Sequence, residues 1–342
     1  MIIAGVSALL ALLVRVASRG LIFLTMKLTN LSVPNRAIAV LTAVCFLVGV
    51  LHPENNACLS RSTLIGVSGT DGEPVKDLTA ADFKLTVGGK PVSVQSATPA
   101  DRPPRVVMLV DASASQDQSS WAATRAMVNE FLEGFPAVAD FTLLTFDEKV
   151  QQVIHETDRG VLQGTWGEMF PSGKRESQAG LAEAIKKATV SFGAGRPGDA
   201  EFLVTTADQM NKESEQALRQ QRAAGIRLFG ISFDQSGHPA PVPIDLYMKI
   251  EDYSPLGAAA KASGGAWIWF DTTRRDATAS LRSATAAGKR AGTLVRNYFT
   301  LEVQLTNAIT KPEKLKIELI KSSRIDAKDA ATSYPQELFP CQ

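Results

Sequence analysis

The chain has 342 residues, is 45% hydrophobic and 21% charged, and carries a formal net charge of +1. That length buries one large core or two modest ones. A balanced charge supplies no field to gather a polyanion, which excludes nucleic acid as the expected partner.

No Asp or Glu precedes Glu54, while Arg15, Arg19, Lys27 and Arg36 punctuate two apolar runs. The second run, "AIAVLTAVCFLVGVL", fills positions 37–51. It has the length of a signal-peptide core and is short of the roughly 20 residues of a membrane span. "MKLTNLSVPNR" (26–36) reads as a basic leader with its own initiator, Met26. Residues 1–58 are therefore expected to be a signal peptide or an N-terminal membrane segment, with "IIAGVSALLALLV" as an alternative anchor. The expected location is periplasm, cell envelope or exterior, with the membrane touched only through this segment if it is uncleaved. Cys45 falls inside the leader, leaving Cys58 and Cys341 at the two ends of the exported chain. In an oxidising compartment these two are a disulfide candidate; the alternative is a pair of free thiols in frayed tails.

Residues 62–98 begin and end on strand patterns, with turn signals at "GTDGEP" and "VGGKP". Thr79 stands three residues before Asp82, the spacing of a capping box around one helical turn. From Arg105 apolar strands alternate with amphipathic helices. "RVVMLV" is a continuous apolar run, as a strand buried on both faces requires. "SSWAATRAMVNEFLEGF" places Trp121, Val128, Phe131, Leu132 and Phe135 on one helical face. Strands follow at "DFTLLTF" and "KVQQVI", then a helix at "AGLAEAIKKATVSF", a strand at "EFLVTT" and a helix at "ESEQALRQQRAAG". A strand at "IRLFGISF", a helix near "PLGAAAKASGG" and a strand at "AWIWF" close the series, with Gly225 and Gly264–Gly265 placed as helix C-caps. Alternation of this kind predicts an α/β fold, a doubly wound and mostly parallel sheet with helices on both faces. "RNYFTLEVQLT" and "KLKIELIK", separated by a turn containing Pro312, are expected to pair with the strands of 62–98 as a small β-sandwich.

In "VVMLVDASASQDQSS" (106–120) a buried strand ends on Asp111, followed by Ser113 and Ser115. Asp and Ser are ordinary N-cap residues, so one interpretation is a helix start. The other is a ligand loop, because doubly wound sheets bind ligands beyond the carboxyl ends of their strands.

"VVMLVDASAS" resembles the D-x-S-x-S motif that opens the metal-ion-dependent adhesion site of von Willebrand factor type A domains. "GEPVKDLTAADFKLTVGGKPVSV", "FTLLTFDEKVQQVIHETDR", "YSPLGAAAKASGGAWIWF" and "NYFTLEVQLTNAITKPEKLKIEL" resemble, in order, segments of an exported bacterial subfamily abundant in acidobacteria. The resemblance spans about 62–321 and implies a Rossmann-like domain at 102–295. It implies a flanking β-sandwich from 62–98 and 296–321, and a tail at 322–342. It also implies a Mg2+ or Mn2+ site made by Asp111, Ser113 and Ser115, a Thr from a second loop and an Asp from a third. Here the second loop, "SGKRESQAGLAEAI", puts Ala179 at the Thr position, with Ser177 two residues away. The third, "FLVTTADQ", puts Thr206 at the Asp position and Asp208 two residues beyond. The site is degenerate, and two outcomes stay open: a weak cation completed by a partner's carboxylate, or no cation. Asp111, Ser113, Ser115, Ser177, Thr206 and Asp208 are the expected partner-binding residues on either outcome.

Other chemistry has little footing. "GAGRPG" (193–198) satisfies G-x-G-x-x-G but follows a helix and precedes a strand, the reverse of a dinucleotide loop. "GEMFPSGKR" (167–175) misses the phosphate-loop spacing and has Arg175 where Ser or Thr is needed. The three histidines, His52, His155 and His238, form neither a nucleophile elbow partnership nor a zinc-ligand cluster. Trp267 and Trp269 alternate on one strand, a pattern expected of core packing. The expected function is a non-enzymatic module that docks a protein at the top of the sheet. The alternatives are a metal- or nucleotide-dependent hydrolase in the same crevice, with Asp147 or Asp208 as a second catalytic acid or base, and a structural envelope protein with a vestigial site.

Overall fold

The computed structural model describes residues 58–69, 72–172, 174, 178–206, 210–234, 254–271, 277–320 and 330–341. The leader with Cys45, His52 and Met26, together with Ser177, Asp208 and His238, lies outside the described residues. No described helix is long and apolar enough to cross a membrane.

The chain opens with β1 (Ser60–Ser68), a 3-10 turn (Ala80–Asp82), β2 (Phe83–Val87) and β3 (Lys90–Pro99). The turn is closed as its spacing predicts: the Asp82 carboxylate accepts from the Thr79 N–H at 2.8 Å and from its hydroxyl at 2.9 Å. The alternating region then runs β4 (Val106–Asp111), α1 (Gln118–Glu133), β5 (Val138–Phe146), β6 (Val150–Asp158) and α2 (Arg159–Gly167). It continues through α3 (Gln178–Phe192), β7 (Ala200–Thr205), α4 (Lys212–Ala223), β8 (Arg227–Asp234), α5 (Pro255–Ala262), β9 (Ala266–Asp271) and α6 (Ala277–Arg296). The chain closes with β10 (Phe299–Gln304), β11 (Glu313–Leu319), β12 (Ala331–Ser333) and β13 (Glu337–Leu338).

Six strands form an α/β sheet in the order β6-β5-β4-β7-β8-β9. All neighbours are parallel except β6, which pairs antiparallel to β5 at the edge. The continuous apolar strands follow from burial on both faces. In β4, Val106, Met108 and Val110 point into the core under α1, α2 and α6, and Val107 and Leu109 into the core under α3, α4 and α5. All five residues expected on the inner face of the first helix are buried, and Phe131 stacks on Phe202 of β7 at 4.1 Å between ring centroids. Trp267 is buried too, its indole N–H donating to the Ser232 hydroxyl at 3.3 Å. Gly225 and Gly264 end their helices at φ 78° and 81°, the left-handed conformation a C-cap glycine supplies.

The flanking strands form a seven-stranded antiparallel sheet, β12-β1-β10-β3-β2-β11-β13. Its curl brings Ile65, Leu301 and Val303 into one core with Leu85, Val87 and Leu315, the sandwich expected beside the α/β sheet. β10 pairs with β1 and β3, and β11 with β2, so both pair with the strands of 62–98, and β3 and β2 lie between β10 and β11. The link between them is too long for a tight hairpin turn and readily crosses three strand spacings, about 14 Å. The segment expected as a tail carries β12 on β1 and β13 on β11, so one short stretch joins both edges of the sheet. Cys58 and Cys341 are joined as a disulfide with Cα atoms 5.8 Å apart.

Two helices are absent from the sequence-based series. α2 carries three glycines and is held by buried Leu162 and Trp166, with Asp158 capping it through the Val161 N–H. α6 packs along α1 through small residues; a side chain on Gly288 would begin 2.1 Å from the Met127 carbonyl.

One core group titrates far from its usual range. Glu201 of β7 is buried, accepts from the Gln221 amide at 2.6 Å, and burial pushes its carboxyl up to about 8. The native state therefore keeps a proton that the unfolded chain releases in the ordinary carboxylate range. Stability falls as pH rises between the two, by up to about 1.4 kcal/mol per unit, and the loss is complete above about 8. Glu201→Gln is expected to abolish this slope in urea unfolding measured from pH 5 to pH 9.

Candidate functional site

Asp111 is the last residue of β4, between β5 and β7, where the winding of the sheet reverses direction. That is the crevice position of an open α/β sheet. The carboxylate is 0% exposed. A buried carboxylate is tolerated only when donors surround it. Oδ1 accepts from the Ser113 N–H at 2.8 Å, and Oδ2 from the Thr206 N–H at 3.2 Å and the Thr206 hydroxyl at 2.7 Å. Ser113 is buried, and its hydroxyl oxygen accepts from the Ser115 N–H at 3.3 Å. The loop after β4 is thus wound around one charge.

The two interpretations of the Asp/Ser cluster divide at residue 116. Asp117, not Asp111, caps α1, accepting from the Ser120 N–H at 2.7 Å and the Ser119 hydroxyl at 2.8 Å. These bonds, that from the Ser120 N–H foremost, hold its carboxyl below the usual range.

A second buried carboxylate organises the neighbouring loops. Asp147, just past β5, accepts from the Lys149 N–H at 3.0 Å and the Gln151 amide at 2.7 Å through Oδ1, and from the Ser172 hydroxyl at 2.5 Å through Oδ2. Burial pushes this carboxyl up, but the Ser172, Gln151 and backbone donors outweigh it, and the net shift is downward. Ser172 also donates its N–H to the Ala112 carbonyl at 2.7 Å, and the Ala114 N–H donates to the Lys174 carbonyl at 2.5 Å. Residues 169–174 are therefore stitched between the β4 loop and the β5–β6 turn. The first turn of α3 presses on the same turn: a Cβ on Gly180 would lie 2.0 Å from the Asp147 carbonyl oxygen, so only glycine fits.

This stitched segment presents Phe170, 72% exposed, to solvent. The Arg125 guanidinium lies 5.0 Å from its ring centroid and donates to the Met169 carbonyl, which the Trp121 indole N–H also reaches, at 3.2 Å. An exposed phenyl ring braced by arginine beside the crevice is the kind of group that dominates protein interfaces. Sequence reasoning missed Phe170, Arg125 and Ser172. The available signal was an aromatic residue set among turn formers, "MFPSGK", where no helical or strand period explains it.

Of the expected site residues, the structure brings Asp111, Ser113, Ser115 and Thr206 together. Ala179 lies in the first turn of α3. Asp111 and Ser113 are both fully buried, beneath the exposed rim surface. His155 sits on edge strand β6 with its ring nitrogen 3.1 Å from the Thr142 hydroxyl.

Among the described residues, the donor set does not fit a divalent cation. Mg2+ takes near-octahedral oxygen ligands, with carboxylates carrying the charge. Here the third-loop position holds a hydrogen-bond donor aimed at Asp111 instead of a second carboxylate, and both Asp111 oxygens are occupied. Among the described residues there is no group of three or more His, Cys, Asp or Glu that could hold a metal ion. The melting midpoint is expected to be the same in millimolar Mg2+, Mn2+ or chelator. Thr206→Asp is expected to melt lower in chelator, from two adjacent buried carboxylates, and to gain a cation-dependent rise.

Three solved structures show how far this chain resembles known ones. A von Willebrand factor type A protein from Catenulispora acidiphila is 9% identical, with 84% of this chain and 74% of that chain covered and a TM-score of 0.40. An aerotolerance-related membrane protein from Bacteroides fragilis NCTC 9343 is 14% identical, covering 56% of this chain and 98% of that chain at a TM-score of 0.40. Proximal thread matrix protein 1 from the mussel byssus, with a zinc-occupied adhesion-site motif, is 15% identical, covering 55% of this chain and 49% of that chain at a TM-score of 0.37. No curated protein matches the chain. Residues 106–242, which include the Asp111 loop, Phe170 and Thr206, match the model of the von Willebrand factor type A domain.

Proposed function

We propose that this chain is an exported, non-enzymatic interaction module that receives a protein partner on the carboxyl-end rim of its α/β sheet, without a resident cation. Domains of the matched type generally mediate protein–protein contacts. The observation that carries the proposal is Phe170. A phenyl ring 72% exposed, on a segment pinned at Ser172 to both rim loops and braced by Arg125, is a rigid anchor waiting for an apolar pocket. Asp111 and Asp147 act from beneath: each fixes a loop by accepting its donors, and the exposed groups above them, among them Phe170, Ala114 and Lys174, meet the partner. Thr206 and Ser115 take part as bracing groups, and Ser177 and Asp208 are kept in this proposal as partner-binding residues.

The domain layout follows as part of this proposal. Residues 102–295 form the docking domain, 62–98 with 296–321 form the platform beside it, and the leader precedes Cys58, which stays with the exported chain. Export is supported by the 37–51 apolar run and by the disulfide between Cys58 and Cys341. Asp147 is held ionised by three donors, so it has no proton to give as a general acid, and both its oxygens are engaged in bracing the rim loops.

A photo-crosslinking residue placed at Phe170 is expected to capture a discrete protein from the cell envelope. The same residue at exposed Val190, near the far end of α3, is expected to capture none. With the probe at Lys174, Phe170→Asp is expected to cut the yield at least about tenfold. Equal yields from positions 170 and 190 would remove the rim as the docking face.

A further inference from the structure

The last described segment, Ala330–Cys341, touches more of the molecule than its length suggests. Ala331–Ser333 pair with Ser68–Gly66 of β1, and Glu337–Leu338 pair with Lys314–Glu313 of β11. The Leu315 N–H donates to the Gln336 carbonyl, and the Gln336 N–H donates to the Ala262 carbonyl at the end of α5. Pro335 bridges to Ser263, and Glu337 pairs with Arg222 of α4 at 2.9 Å. The segment therefore straps the antiparallel sheet to the α/β sheet. It also forms one wall of a cleft of about 290 Å³, whose other walls include Gly66–Ser68 of β1, Lys261 of α5 and Thr293 and Asn297 near the end of α6.

The strap is weakly held by its own side chains. Leu338 is the one fully buried residue in it; the others are half-buried or exposed. A peripheral segment with so little buried apolar surface opens locally at low cost unless it is tethered. It is tethered covalently, by the Cys58–Cys341 disulfide. Cys341 is exposed and Cys58 half-buried, so the bond faces solvent, and the Arg61 guanidinium lies 3.6 Å from the Cys341 sulfur.

We infer that the Cys58–Cys341 disulfide is a redox latch that keeps the strap closed over the cleft between the two sheets. A dithiol reductant opens it. Its thiolate attacks Sγ of Cys58, the S–S bond breaks, and Cys341 leaves with the electron pair as a thiolate stabilised by Arg61, then takes up a proton. The second thiol of the reductant attacks the resulting mixed disulfide and releases Cys58 as a thiol. Two electrons and two protons have passed to the protein, and the reductant ends as a disulfide. With its end free, the strap peels from β1 and β11, the cleft loses a wall, and the two strand edges become available for pairing with another chain.

Hydrogen exchange on the full chain, before and after treatment with dithiothreitol, tests the latch. Reduction is expected to raise exchange at least about tenfold at Gln336, across 331–338 and at Leu315, while the amides of β4, β5 and β7 stay protected. Cys341→Ser is expected to show the same pattern without reductant. Unchanged exchange in the strap would overturn the proposal, because non-covalent contacts would then suffice to hold it. Loss of protection throughout the chain would overturn it equally, by making the disulfide a staple of the whole fold.

Discussion

A carboxylate with no exposure to water, at the end of the central strand, is the constraint around which the rim is built. Asp111 is tolerated there because three donors converge on its carboxyl oxygens, and those donors come from two different loops. The Ser113 N–H winds the loop after β4, and Thr206 ties in the end of β7. Asp147 repeats the arrangement one strand over, gathering the β5–β6 turn and Ser172. Two buried carboxyl groups thus hold several loops at fixed relative positions.

On the proposed docking function, recognition at the rim rests on shape and apolar surface. In a site built on a cation, the partner supplies a ligand to the metal and electrostatics dominate. The group this rim turns outward is Phe170, above a stitched loop, with Arg125 behind it. Such an anchor gains by rigidity, since little conformational freedom is left to lose on binding. One residue distinguishes the two designs most sharply. Threonine at 206 donates to Asp111, where an aspartate would repel it.

Much of the fold was legible in the sequence, for reasons visible in particular residues. Val106–Val110 alternate between two cores, so every position had to be apolar, and the run announced a doubly covered strand. Asp111 at its end located the crevice. The position of Thr206 announced a departure from the resemblance. What stayed hidden was of two kinds. α6 buries a stripe of Ala284, Gly288 and Ala291, which closes tightly on α1 but leaves no period of large apolar residues to detect. The strap, β12 and β13, is too short for any local pattern, and its pairing depends wholly on partners far away in the chain. The burial of Asp111 was likewise invisible, because a surface ligand and an internal brace present the same letters.

The measurement that bears most directly on the account is a double-mutant cycle between Asp111→Asn and Thr206→Val, read by denaturant unfolding in the presence of chelator. Mutual bracing predicts strong non-additivity, with a coupling of about 1–3 kcal/mol, because each residue satisfies the other. Additive effects in chelator, with coupling that emerges only on adding Mg2+, would contradict it and return Asp111 to the role of a metal ligand.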